Sequence, residues 1–360
     1  MHYPSHPPSD AVPSEIIARI RELGRLHGFG QVGFSSGVAD DDNAHLTDWL
    51  AAGYQGEMDW MARHAALRQA PGALVEGTRT IISVRMDYWP ADATDPAQVL
   101  IDGTRGYVSR YATGRDYHKL IRQRLQHLAD DIGKIIGPFG YRVFCDSAPV
   151  LEKAHARNAA LGWIGKHTNL IHRQAGSWFF LGEIYTDLAL PPDPPVTQEH
   201  CGTCTRCIDV CPTRAIVAPY QLDARLCISY LTIELKGGIP VELRPLIGNR
   251  IYGCDDCQLV CPWNRFARVS AEPDFRVRNS LDNPDLVALF AWTEDEFLTR
   301  TEGSAIRRIG WLRWLRNIAV ALGNAPHSQR VHDALMSRVK FPDSMVREHV
   351  EWALQQQAMT

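Results

Sequence analysis

Nine cysteines are spread so unevenly that they constrain every other reading of the 360-residue chain. Eight fall between positions 201 and 261. They form the run Cys201-x2-Cys204-x2-Cys207-x3-Cys211-Pro212 and the half-run Cys254-x2-Cys257-x3-Cys261-Pro262, with Cys227 between them. This is the spacing of a bacterial two-cluster ferredoxin. A [4Fe–4S] cube needs one soft thiolate per iron. Three close cysteines wrap one cube, and the fourth, before proline, turns away to the other. The spacing therefore assigns Cys201, Cys204, Cys207 and Cys261 to one cluster and Cys211, Cys227, Cys254 and Cys257 to the second. Two zinc ions would also consume eight thiolates. A zinc ribbon, however, leaves the third cysteine and both Cys-Pro endings without a reason. Two adjacent cubes relay electrons one at a time. The ninth cysteine, Cys145, reads as a buried strand-end residue.

The surrounding composition is that of a globular protein, with 45 % hydrophobic and 22 % charged residues. No apolar run approaches the ~18 residues of a membrane span. Residues 1–12 read as a loose polar tail without basic, apolar or twin-Arg leader features, which points to the cytoplasm. A net charge of −3 excludes a strongly basic nucleic-acid binder but not a local basic face.

Helical and strand patterns alternate through residues 13–190. Helices are expected from Ser14, over Asp116 to Gly137 and over Val150 to Leu161. Strands are expected over Gln31 to Phe34, Ile81 to Tyr88, Tyr141 to Cys145 and Ser177 to Leu188. These make one α/β domain. The stretch Pro191-Pro192-Asp193-Pro194-Pro195 stiffens a linker. From Pro284 onward the pattern is helical, in short amphipathic units that suggest stacked repeats. Gly28-x-Gly30-x-x-Gly33 matches a dinucleotide fingerprint, but it follows a helix and opens a strand, the reverse of what phosphate binding needs. It reads as a helix stop. Two polar-aromatic segments stand out, Arg110 to His118 and Cys145 to Lys153. Ligands gather beyond the carboxyl ends of strands, which suits Asp146. By position alone Asp146 reads equally as a turn or capping residue.

The whole chain resembles the epoxyqueuosine reductases. The resemblance is carried by Gly56-Glu57-Met58-Asp59-Trp60, Arg110-Tyr111 with Asp116-Tyr117-His118, Asp146-x-x-Pro149-Val150, Gly162-Trp163-Ile164-Gly165-Lys166, and Gly182-Glu183-Ile184. The cysteine run with Cys227 and Trp314-Leu315-Arg316-Asn317 before Ala321-Leu322-Gly323-Asn324 complete it. It implies three domains: an α/β cobalamin-binding catalytic domain (1–190), a ferredoxin-like α+β domain with two 4Fe–4S clusters (191–275), and an all-α HEAT-like domain (276–360). It further implies a monomer that reduces epoxyqueuosine to queuosine at the tRNA wobble position. Electrons would come from an external low-potential donor of the flavodoxin or ferredoxin kind. The corrinoid motif D-x-H-x-x-G is absent, because Ile121 stands at the glycine position after Asp116-Tyr117-His118. That suits a family expected to hold cobalamin without a histidine below the cobalt.

By the same resemblance Asp146 is the proton donor, and burial near a corrin would raise its pKa. Arg110, Tyr111, Tyr117, His118, Asp146, Trp163, Lys166 and His167 form the candidate cofactor-binding set. For Tyr111, Tyr117 and His118, packing is the competing reading. For Lys166 and His167 it is solvent. Residues 300–360 hold nine Lys or Arg and five Asp or Glu, a local 9 − 5 = +4. Arg307, Arg308, Arg313, Arg316 and Arg347, with Arg244, Arg250, Arg265 and Arg268, are the candidate phosphate-facing surface. Two other classes fit less well. A reductive dehalogenase predicts an export signal, and a bare electron-transfer subunit leaves the N-terminal domain unexplained.

Overall fold

A computed structural model describes residues 13–359; the expected tail at 1–12 lies outside them. The N-terminal half is built on four strands: β1 (Gln31–Ser35), β2 (Thr80–Asp87), β3 (Tyr141–Phe144) and β4 (Phe179–Thr186). Their order is β1-β2-β4-β3, and every pairing is antiparallel. The α/β alternation is present, on a sheet whose strands run antiparallel throughout. The central strands β2 and β4 are buried on both faces, and β4 (FFLGEIYT) reads as the near-continuous apolar run that parallel strands share.

Helix α1 (Ser14–Leu26) and the long helix α2 (Tyr117–Ile136) cover one face. Ile17, Ile20, Ile121, Leu125 and Leu128 pack there on Ile82, Val84, Phe180 and Ile184. Helix α3 (Glu152–Asn158) covers the other face. Asp116 caps α2 by accepting the His118 N–H at 3.0 Å, and Gly137 closes it with φ +88°. Gly33 of the apparent fingerprint lies inside β1. A Cβ there would stand 1.9 Å from the Ala159 carbonyl oxygen, so this glycine serves strand–helix contact. The proline-rich stretch is pinned to the sheet edge, where the Phe34 N–H donates to Asp193 at 2.9 Å.

A second core starts at Val108 and Ala112, runs through Ile228, Tyr230, Ile251 and Tyr252, and ends at Val350 and Ala353. It joins the cysteine-rich segment to the C-terminal helices. Tyr107–Val108 pairs in parallel with Arg250–Tyr252, which ties the N-terminal half to the same core. Helix α4 (Gly310–Gly323) is buried on all sides from Trp314 onward. It packs on α5 (Ser344–Met359), and Gly323 permits the approach: a Cβ there would lie 2.5 Å from the Trp352 ring. Among the described residues no helix is long and apolar enough to cross a membrane.

Candidate active site and electron relay

The two cysteine quartets converge as separate groups. Cys201, Cys204, Cys207 and Cys261 line one cavity of about 210 Å³. Cys211, Cys227, Cys254 and Cys257 line another of about 250 Å³. Among the described residues no three metal-binding side chains close on a single-ion point. Four sulfurs around a cavity suit a cube better than a lone zinc, whose ligands meet at ~2.3 Å from one centre. Burial pushes Cys207 up to about 11 and Cys254 and Cys257 well above the free thiol range. Such thiols become thiolates only with metal charge beside them.

A third cavity, about 200 Å³, shares Tyr111, Lys153, Asn169 and Gln258 with the second quartet's cavity. A group bound in it is therefore one layer of side chains from the second cluster. Its aromatic wall is Tyr117 stacked on Phe180, with ring centres 3.8 Å apart. Across the Trp178 ring, which meets Tyr88 edge-on, lies an open cleft of about 1110 Å³.

On the far side of Tyr117 is Asp146, just past the end of β3. Its φ is +57°, a left-handed conformation that Asp tolerates better than most residues. The Glu152 carboxylate accepts its N–H at 2.5 Å, which holds the turn. The Tyr117 hydroxyl donates to Asp146 Oδ2 at 2.8 Å. His118 Nε2 meets the same oxygen at 2.8 Å, and its Nδ1 meets Asp116 at 2.5 Å. Partial desolvation lowers the His118 pKa, but the two carboxylates win and raise it to about 9. Desolvation pushes the Asp146 pKa up, but His118, Tyr117 and Arg308 together hold it below the usual carboxylate range. This corrects the expected raised pKa. The Asp146 side chain is 56 % exposed, and three donors or cations face it. Near neutral pH the proton of the pair resides on His118.

Two carboxyls behind this loop carry no sequence-level assignment. Glu183 is 0 % exposed in the middle of β4, and its hydrogen-bonding partner is the Glu152 carboxyl. Glu152 faces it. Burial, and then the Glu152 charge, pushes Glu183 well up; burial, and then the Asp146 charge, pushes Glu152 up to about 7, against the pull of its hydrogen bond with Glu183. A glutamate at the centre of the apolar strand FFLGEIYT was the available signal. The native chain thus keeps a proton that an unfolded glutamate releases near ~4.3. Stability then falls as pH rises from there to about 7. Glu152→Gln removes this loss, so the variant's thermal midpoint gains on wild type between roughly pH 5 and pH 8. A gap that stays constant across that range refutes the assignment.

The remaining candidates lie elsewhere. The Arg110 guanidinium donates to the carbonyls of Asp282 (3.1 Å) and Thr94 (2.6 Å), away from the cavities. Trp163 is buried edge-on against His200 and Trp263, behind the first cluster loop. Lys166 clamps that loop by donating to the carbonyls of Gly202 (2.6 Å) and Cys204 (3.0 Å). His167 lines both quartet cavities. Cys145 is buried, with its thiol directed at the Leu181 carbonyl.

The arginine surface is largely dismantled. Arg316 is fully buried and donates to the carbonyls of Leu231, Leu235 and Gly237. Arg244 is buried on Ile239 and Glu348. Arg250 pairs with Asp256. Arg313 and Arg347 bond backbone carbonyls. Arg265, Arg268, Arg307 and Arg308 stay exposed; of these, Arg308 pairs with Glu234 and acts electrostatically on Asp146.

Two cysteine quartets side by side, with an acid–imidazole pair across an adjoining cavity, mark an iron–sulfur oxidoreductase. Comparison with known proteins narrows the class. Residues 200–264 match the family "4Fe-4S double cluster binding domain", and residues 68–147 match "Epoxyqueuosine reductase QueG, DUF1730". The chain is 60 % identical over 348 residues to the epoxyqueuosine reductase of Pseudomonas aeruginosa, covering 97 % of this chain and 96 % of that one. It is 54 % identical to that of Escherichia coli K12, covering 96 % and 90 %. The chain belongs to the epoxyqueuosine reductase family. Among solved structures, the Bacillus subtilis epoxyqueuosine reductase, with the loop of its catalytic aspartate swung out of the active site, superposes with a TM-score of 0.84. That pair is 28 % identical, covering 96 % of this chain and 91 % of the other. An epoxyqueuosine reductase with an epoxyqueuosine-modified tRNA-Tyr stem loop gives 0.79 at 25 % identity, covering 96 % and 99 %.

Proposed function

We propose that this chain reduces epoxyqueuosine to queuosine at the wobble position of tRNA. The observation that carries the reading is one small cavity that shares Tyr111, Lys153, Asn169 and Gln258 with the second quartet's cavity and is walled on its other side by Tyr117, which bonds Asp146. The reaction consumes two electrons and two protons, and the epoxide oxygen leaves as water. Cys201, Cys204, Cys207 and Cys261 would hold one 4Fe–4S cluster, and Cys211, Cys227, Cys254 and Cys257 the other.

Cobalamin, when bound, supplies a strongly reducing metal centre. The cavity fits the face of a planar macrocycle. Tyr88, Tyr117, Phe179 and Phe180 offer flat apolar surface, and Asn169, Ser177 and Gln258 offer partners for amide side chains. Among the described residues no histidine lines it.

The chain's own residues then manage the proton. Asp116 orients the His118 imidazolium, His118 shares its proton with Asp146 Oδ2, and Tyr117 steadies the same oxygen. Proton delivery to the departing oxygen is the role of this pair. Anaerobic purification with cobalamin should return about eight irons and about one cobalt per chain, together with turnover on tRNA carrying epoxyqueuosine. Eight irons without cobalt after reconstitution would leave only an electron carrier.

The wobble base must be unstacked to enter the cavity, as in the reading of single-stranded loops. Arg308, exposed and acting electrostatically on Asp146, is the cation placed to meet a flanking phosphate. Arg308→Ala should weaken binding of the modified stem loop and lower its salt slope by about 1. Arg316→Gln should instead leave three buried carbonyls unpaired and destabilise the fold by roughly 3 kcal/mol. Titration at several salt concentrations and thermal melts separate the two; equal effects on binding would remove Arg308 from this role. The division at 1–190, 191–275 and 276–360, with a HEAT-like last part, belongs to this proposal, as do the monomeric state, the cytoplasmic location and a flavodoxin- or ferredoxin-like donor.

A further inference from the structure

The segment between the short strands Trp163–Ile164 and Leu170–Ile171 is a tight turn wedged between the two quartet cavities. Its tightness has local causes. Gly165 N–H donates to Asn169 O, Thr168 N–H donates to Gly165 O, both at 2.8 Å, and Thr168 takes φ +67°. At the tip is His167, 4 % exposed, the only histidine among the described residues that lines both cavities.

One ring nitrogen is accounted for. Nδ1 accepts the Asn169 N–H at 3.1 Å, which places the ring proton on Nε2. That Nε2 is buried and has no partner in the fold. Burial, with the charge of Lys153, lowers the ring's pKa to about 4, so the ring is neutral and carries a single N–H. A buried N–H left without an acceptor costs about 1–3 kcal/mol. Space around the ring is also reserved, because a Cβ at Gly165 would stand 3.2 Å from His167 Cε1.

We propose that His167 is the N–H···S donor to the iron–sulfur relay: its Nε2–H bonds a sulfur of a cluster held in one of the two cavities it lines. The reduced cube carries one more negative charge than the oxidised cube. A hydrogen bond to its sulfur therefore favours reduction and raises the potential. His167 is thus a positioning residue for electrons, acting on the relay and not on the substrate. The inference rests on the two-cluster reading, and the experiment keeps the two apart by counting iron first.

The test uses the holoenzyme, wild type beside His167→Phe and His167→Leu, in anaerobic redox titrations followed by electron paramagnetic resonance. With about eight irons retained, the midpoint of at least one cluster should fall. The expected size is at least threefold in the reduction equilibrium, about 28 mV at 59 mV per decade for one electron. Both midpoints unchanged, with iron intact, overturn the proposal. Loss of iron from wild type would instead sink the two-cluster reading. Should both variants fail to fold, pulsed resonance on reduced protein labelled with ¹⁵N-histidine decides. A His200→Gln background removes the other histidine lining the first cavity. A ¹⁵N coupling to a reduced cluster is expected there, and its absence rejects the donor.

Discussion

Asp146→Asn should lower single-turnover reduction of epoxyqueuosine-bearing tRNA by about 10²- to 10⁴-fold, the usual worth of a positioned proton donor. Iron and cobalt content should not change, because Asp146 touches neither quartet cavity. The wild-type rate should hold level through neutral pH and fall as pH rises through about 9, where His118 loses its proton. The sign follows from the pair. Below that value the imidazolium is loaded and Asp146 is its ionised partner; above it the site has no proton to give. His118→Gln should slow the reaction and erase the fall near pH 9, since the group that titrates there is gone. An Asp146→Asn enzyme at full rate removes the carboxylate from the mechanism. A His118→Gln enzyme that still falls near the same pH moves the proton to another group.

The second large effect concerns the relay. Cys257→Ser should drop iron from about eight to about four per chain and abolish turnover with a one-electron donor, because one cube of the pair is lost. Cys145→Ser is the control. Its thiol lies beside Asp146 in sequence but points at the Leu181 carbonyl, outside both quartets. That variant should keep about eight irons and lose only stability, about 1–3 kcal/mol for a hydroxyl placed in an apolar site. Full iron and turnover in Cys257→Ser would break the assignment of the second quartet.

The proton site was only half legible in the sequence. Asp116, Tyr117, His118 and Asp146 were singled out, and the structure brings them together within hydrogen-bond reach. The protonation state was misjudged, because it depends on which charges face the carboxylate. His118 is 28 positions away from Asp146, and Arg308 lies in another part of the fold. The arginine surface failed for a related reason. A count of cations does not say which guanidiniums are consumed by backbone carbonyls, as Arg316 is. Glu183 stands in the sequence within the motif Gly182-Glu183-Ile184 but without a role, because its meaning depends on its depth in the sheet and on Glu152 opposite.

By itself the sequence determined the electron relay and the order of the elements. Cysteine spacing is local geometry: three thiolates within one turn of chain leave the fourth, before proline, free only to reach a neighbouring cube. Periodicity and capping are local as well, and they placed α2 between Asp116 and Gly137. Tertiary structure alone decided that the sheet is antiparallel, since strands buried on both faces read alike in either direction. It also decided where the proton rests, which arginines remain exposed, and that His167 stands between the quartets. Those properties are set by burial and by partners distant in the chain. Desolvation and Coulomb forces depend on distances in space, which sequence separation does not measure.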